Sequence, residues 1–172
     1  MELVDLYDEN RIPLGKTAER YGRRAGGEYR AVVHICVFDH QGRLLIQQRS
    51  REKRACPGKW DVSAAGGVAA GESVRESAER EFLEELGYPL ELTGIRPSMT
   101  VNFSGGFDDF FVVQRDIDLA QLTLQVEEVS AVRWATREEV LDLLEKREFM
   151  NYPKGFLQCL FDMRNQFGFI IT

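Results

Sequence analysis

The tightest constraint in this 172-residue chain is a helix whose two ends are written into its residues. Ser73 and Glu76 form an S-x-x-E capping box. Val74, Ala78, Phe82 and Leu86 follow at every fourth position and predict one apolar stripe. Gly87 stands where a left-handed cap residue belongs, and Pro89 forbids continuation. A short strand is predicted just before, at 60–65, ended by Gly66 and Gly67. The polar side of the same helix carries Glu81, Glu84 and Glu85, three and four residues apart and so on one face, with Arg80 beside them and Glu72 in the turn before. Two full charges ~4 Å apart repel by about 4 kcal/mol at an effective dielectric near 20. No lysine lies on this helix to relieve that repulsion. Two readings follow. One is a solvated acidic face. The other is a site for a hard divalent cation, since Mg²⁺ takes a few carboxylates together with waters and phosphate oxygens.

Composition narrows the setting. The chain has 22 Lys and Arg against 28 Asp and Glu, a net charge of -6, so its overall field does not favour a nucleic-acid backbone. Three scattered cysteines, Cys36, Cys56 and Cys159, make no disulfide framework, and with His34 and His40 they make no zinc motif. Met1 is followed by Glu2 and Asp5 rather than by a basic and then apolar run, and no 18-residue apolar stretch occurs. The expectation is a cytoplasmic protein with no membrane and no nucleic-acid polymer as partner. A homodimer is left open.

No repeat or Pro/Ser-rich linker divides the chain, so residues 1–172 read as one domain. Residues 3–7 and 14–17 flank the turn-like Asp8-Glu9-Asn10 and predict a small hairpin, followed by an Arg- and Gly-rich loop to about residue 28. Strands are predicted at 31–38 and 44–48, paired as a hairpin, and later at 96–103, 107–114 and 131–135. Thr136 with Glu139 opens a second capped helix to about Lys146, and a last amphipathic helix is expected over 153–166. The pattern predicts an α/β protein, a mixed sheet sandwiched by helices. Trp60, Phe103, Phe107 and Phe110 are read either as core or as a stacking surface for a base, and His34 as a satisfied core residue.

The run Gly66, Glu72, Arg80-Glu81, Glu84-Glu85, Gly87 resembles the box of the Nudix hydrolases at all seven fixed positions, over residues 66–88. With residue frequencies of roughly one in fifteen, a chance match of seven is negligible. Phe82 and Tyr88 depart only in being aromatic where aliphatic residues are usual. The resemblance implies a Nudix-type α/β/α sandwich with a mixed β-sheet. It also implies hydrolysis of a diphosphate linked to another moiety, as in a nucleoside diphosphate-X, with Mg²⁺ or Mn²⁺. Carried over by position, Glu81 and Glu85 would be metal ligands and Glu84 a further ligand or the base. Glu72 would support outer-shell water, Arg80 would orient the glutamates, and a backbone carbonyl near Ala65 and Gly66 would complete the site.

Upstream, the D-E-N start, the L-L-I-Q-Q-R strand and the K-R-A-C-P-G-K-W loop resemble the isopentenyl-diphosphate-isomerase-like branch of that fold. That branch implies Arg49 and Lys53 as contacts for the substrate diphosphate. It also requires a thiol where this chain has Ala65, and metal-binding histidines that fall on Gly67, Arg30 and Arg23; its later acid falls near Asp109. The isomerase parts are missing and the hydrolytic glutamates are intact, so hydrolysis is expected and isomerisation is not. Glu127 and Glu128 lie in a loop where some family members place a base. A catalytically silent binding module is the third reading, weakened because no box glutamate is lost.

Overall fold

The computed structural model describes residues 2–166. In chain order it contains β1 (Leu3–Tyr7), β2 (Pro13–Glu19), β3 (Arg30–Phe38), β4 (Leu44–Arg49), β5 (Trp60–Asp61), β6 (Ala64–Gly67), α1 (Val74–Leu86), β7 (Met99–Phe103), β8 (Gly106–Gln114), β9 (Val129–Ala135), α2 (Arg137–Glu145) and α3 (Lys154–Met163). A single 3-10 turn at Leu119–Gln121 precedes β9.

β3 is the centre. Its run of β-branched and apolar residues suits a strand buried on both faces. All nine of its residues pair in parallel with β8, and β7 adds antiparallel beyond it, so the sheet is mixed as expected. Val33, Ile35 and Val37 point to one side, where Ala78, Phe82 and Leu86 of α1 pack on them. Cys36 and Phe38 point to the other, against Val140 and Leu143 of α2 and Leu157, Leu160 and Phe161 of α3. Two apolar cores separated by one sheet give the α/β/α sandwich.

Two local expectations are corrected. The hairpin of β3 and β4 is real only at its tip, where Phe38 pairs with Leu44. From there β4 swings away to pair antiparallel with β9 and β5. The predicted strand at 60–65 is in fact two strands, and Gly66 and Gly67 lie inside the second of them, pairing with Val33 and Val32. The reason is the divided edge of β3. With β8 occupying one whole edge, β4 takes the end of the other and β6 the beginning, and the chain must break direction at 62–63 to reach both. A wedge opens between β4 and β6.

The N-terminal hairpin forms as expected, β1 with β2. Val4 and Leu6 alternate inward and are buried, while nearly all of β2 is exposed. Tyr7 and Tyr29 exchange backbone hydrogen bonds of 2.8 and 2.9 Å, and the Ala70 N–H donates to Leu3 O at 2.9 Å. These tie the hairpin to the exit of β6 and set Glu2 and Arg20 beside the wedge.

Candidate active site

α1 starts and stops where its sequence says. The Ser73 hydroxyl accepts from the Glu76 N–H, and the Glu76 carboxylate accepts from the Ser73 N–H at 2.8 Å. Gly87 caps the far end at φ 64°. A side chain there would also strike Thr123, whose carbonyl oxygen lies 2.6 Å from the Cβ position. That close approach lets the Thr123 N–H donate to Leu86 O and the Gln125 N–H to Glu85 O. The segment ending at Glu128 is thereby drawn over the wedge.

Within α1, Glu81 and Glu85 are one turn apart and turn inward onto β6; they are only 7% and 4% exposed. Gly66 makes this fit. A Cβ on residue 66 would sit 1.9 Å from the Glu81 carboxyl carbon, so any side chain here would push that carboxylate out of its place. Glu85 accepts from Gln47 Nε2 of β4 at 2.9 Å, and the backbone N–H of Ala65 in β6 lies close enough to favour its charged form. The two strands of the wedge are therefore bridged by one buried carboxylate.

Arg80 is the fastener of the outer acids. Its Nε donates to both oxygens of Glu72 at 3.0 and 3.1 Å, Nη1 to Glu81 at 3.0 Å and Glu84 at 3.1 Å, and Nη2 to the Gly67 carbonyl at 3.2 Å. Glu72 is further held by the Ser77 hydroxyl at 2.5 Å. Partial burial works against the Arg80 charge, but Glu81 and Glu72 outweigh it and hold its pKa above the usual value. Among the described residues no cation makes an ion pair with Glu85. Burial pushes its carboxyl up to about 7, against the hydrogen bond from Gln47. Burial raises Glu81 as well, with Arg80 opposing.

A buried carboxylate given only neutral donors needs a positive charge to ionise at little cost. Glu81, Glu85 and the backbone of Ala65 present hard oxygen donors toward one cleft of about 450 Å³, which is the chemistry that a divalent cation takes. The residues fit such an ion. Among the described residues no three ligating side chains already converge as a closed cage, because Glu81 and Glu84 are turned onto Arg80.

The other expected residues are distributed as follows. Lys53 lines the cleft and is ion-paired with Glu128, which lines it too. Ala65 forms part of the wall, and Gly66 lies beneath Glu81. Arg49 is turned aside: Nε and Nη2 donate to the Ala55 carbonyl at 3.2 and 3.1 Å, and Nη1 lies 3.6 Å from Asp61. It borders a neighbouring cavity of about 510 Å³ with Tyr21, Arg54 and Glu127. Asp109 is fully buried under Arg11, which pairs with it, and accepts from Thr100 Oγ1 at 2.6 Å, away from the cleft. Phe107 and Phe110 are core; Trp60 and Phe103 lie under Arg133 and Arg30. His34 is satisfied by Asp108 at 3.1 Å and the Tyr152 hydroxyl at 3.2 Å.

Sequence reasoning missed Glu2, Arg20, Tyr21, Gln47 and Gln125, which complete the cleft or bond its acids. None carried a distinguishing signal in the sequence: even Gln47 is one of three successive polar residues, Gln47-Gln48-Arg49, that end β4.

The NUDIX domain family model matches residues 28–154. An uncharacterized Nudix hydrolase of Listeria monocytogenes is 44% identical over 165 residues, 96% of each chain. An isopentenyl-diphosphate Delta-isomerase of Streptomyces avermitilis is 28% identical over 157 residues, 87% of this chain and 79% of that one. Among solved structures, DR0079 from Deinococcus radiodurans superposes with a TM-score of 0.74 at 24% identity, over 92% of this chain and 99% of that one.

Proposed function

This chain belongs to the Nudix hydrolase family, and on that premise we propose that it cleaves a diphosphate bond in a nucleoside diphosphate-X or a related organic pyrophosphate, with Mg²⁺ or Mn²⁺ bound at Glu81 and Glu85. The observation that carries this reading is the buried pair Glu81 and Glu85, one turn apart and facing a polar cleft, with a counter-ion on one of them only. A bound divalent cation supplies charge neutralisation on phosphate oxygens and an acidified water.

The chain's own residues do the rest. Ala65, which lines the cleft, is assigned to offer its backbone carbonyl oxygen there. Arg80 gathers Glu72, Glu81 and Glu84 in one fan, and Glu81 and Glu84 would turn from it to share their oxygens with the bound cation. Glu84 is the most exposed of the set and is the carboxylate assigned to take a proton from the attacking water. Lys53 is assigned to the diphosphate, exchanging Glu128 for a phosphate oxygen. Arg49 is assigned a share in the same diphosphate; at rest it holds the 50–59 loop that carries Lys53. Glu127 and Asp109 receive no role. The cytoplasm is the proposed compartment, and no helix of the described residues is long and apolar enough to cross a membrane.

The test is a release assay over nucleoside diphosphates, nucleotide sugars, dinucleotides and isoprenoid diphosphates. Chelator-stripped protein should be inactive and regain activity with Mg²⁺ or Mn²⁺; full turnover without metal would sink the reading. Isopentenyl diphosphate should give no dimethylallyl product, because Ala65 offers no group that moves a proton.

A further inference from the structure

The cleft does not end at the glutamates. It wraps around the free edge of β6. Glu81 lies over one face of that strand, above Gly66, and Arg20 lies over the other, above Gly67. The Arg20 Nε is 3.1 Å from where a Cβ of residue 67 would be, so a glycine here is what lets the arginine lie flat on the strand. Gly67 pairs with Val32 of β3, and Arg30 is the next residue on that same face of β3. Arg30 reaches across Gly106 to stack on Phe103, with its guanidinium carbon 5.5 Å from the ring centre. Arg24 belongs to the same group and donates to the Arg20 carbonyl at 3.2 Å.

This arginine row is short of anions. Arg20 has Glu2 at 2.7 Å. Among the described residues no carboxylate makes an ion pair with Arg24 or Arg30. The Arg30 Nε is buried with no hydrogen-bond partner. Burial, and then the charges of Arg24 and Arg20, press its pKa down. Asp108 on the same face is taken by His34. The helices stop short of this end of the sheet: Tyr152 and Phe156 pack on His34 and Phe110, whereas Val101, one row further, is 39% exposed. Half-buried arginines crowded beside an open surface, two of them without a paired carboxylate, leave positive charge that a bound anion would compensate. Arg30 lies four residues along β3 from His34, the partner of Ala65, so the place is roughly 13 Å along the strand from the cleft wall.

We propose that Arg24 and Arg30, with Arg20 as the link to the cleft, form a second anion subsite that receives a phosphate monoester carried by the substrate in addition to its diphosphate. The inference rests on the diphosphate reading of the cleft and narrows its substrate class to organic diphosphates with a further phosphate, such as a 2′- or 3′-phosphorylated nucleoside diphosphate.

Binding without turnover separates this inference from hydrolysis itself. Metal-free, chelator-treated full-length protein is titrated calorimetrically with two matched pairs, NADPH against NADH and adenosine 3′-phosphate 5′-diphosphate against ADP, and with inorganic phosphate alone. Wild type should bind the extra-phosphate member of at least one pair about tenfold or more tightly. Arg30→Gln and Arg24→Gln should each reduce that preference to within about twofold, with folding checked by melting curves. The proposal is overturned if neither pair is discriminated, or if both variants keep the preference. It is equally overturned if inorganic phosphate alone binds in an Arg30-dependent way while neither pair is discriminated, which would make the subsite a free-phosphate site. The diphosphate reading fails separately, if metal restores no cleavage of any diphosphate.

Discussion

Two polar clusters are buried in one sheet, either side of the β4–β5 pairing, and they are built on opposite terms. In the first, Asp61 is almost wholly inaccessible. Burial raises its pKa, yet it is met by the Val62 N–H at 2.8 Å and the Tyr152 hydroxyl at 3.0 Å, with Arg49 at 3.6 Å. The same hydroxyl meets His34, whose other nitrogen meets Asp108. That chain of bonds is closed, and it fastens the segment before α3 to the sheet. In the second, Glu85 is equally buried but its surroundings are left open: Gln47 donates to it while the Gln47 Oε1 has no partner among the described residues. The difference teaches how to separate a structural buried carboxylate from a working one. The first has its hydrogen bonds completed by the fold, and the second is left facing a cleft with an incomplete set.

The comparison can be broken most directly at Glu85. Glu85→Gln removes charge with almost no change of shape. On the reading above, kcat should fall about 10²-fold or more, while the metal-free melting temperature holds or rises. Unfolding of the variant, or a kcat within about twofold of wild type, would move Glu85 into the structural class with Asp61. Gly66→Ala comes next. The new methyl group must displace the Glu81 carboxyl, and an ångström of misplacement costs up to about 10²-fold. Steady-state kinetics should show a loss of roughly 10- to 100-fold in kcat/KM; retained activity would mean that Glu81 has no fixed place in the site.

Tyr152→Phe tests the other cluster. It leaves Asp61 and His34 each short of a partner and should cost about 1–3 kcal/mol of stability, read from melting or urea curves, with kcat within about twofold. A large loss of kcat in folded protein would show that the two clusters are coupled through Arg49.

The smallest effect is in pH. The folded-state pKa of Glu85 is raised to about 7, so the folded protein holds a proton that the unfolded chain releases in the ordinary glutamate range. Metal-free stability should therefore decline as pH rises from about 4.5 to 7, with Glu81 and Asp61 adding in the same direction. Glu85→Gln should flatten the decline without abolishing it. Melting temperatures across that range, unchanged in slope for the variant, would assign the proton elsewhere.

Much of this was legible in the residues. The limits of α1 follow from Ser73, Glu76, Gly87 and Pro89, because capping and termination are local events within a few residues. The acidic face at Glu81, Glu84 and Glu85 follows from helical spacing alone. So does the assignment of helices to both sides of a mixed sheet, since each amphipathic element must bury one stripe. Tertiary structure decided everything that depends on which strand edge meets which. Nothing local says that β3 gives one edge to β8 and divides the other between β4 and β6, yet that division opens the wedge and puts Gly66 inside a strand. Nothing local turns Arg49 onto Ala55 and Asp61, or sets Lys53 on Glu128, because long charged side chains choose partners far away in the chain. The arginine row is the clearest case. Arg20, Arg24 and Arg30 read as an ordinary basic loop and strand start until pairing across the sheet sets Gly67 beneath the Arg20 side chain and Gly106 against the Arg30 backbone, and only that placement brings their charges together.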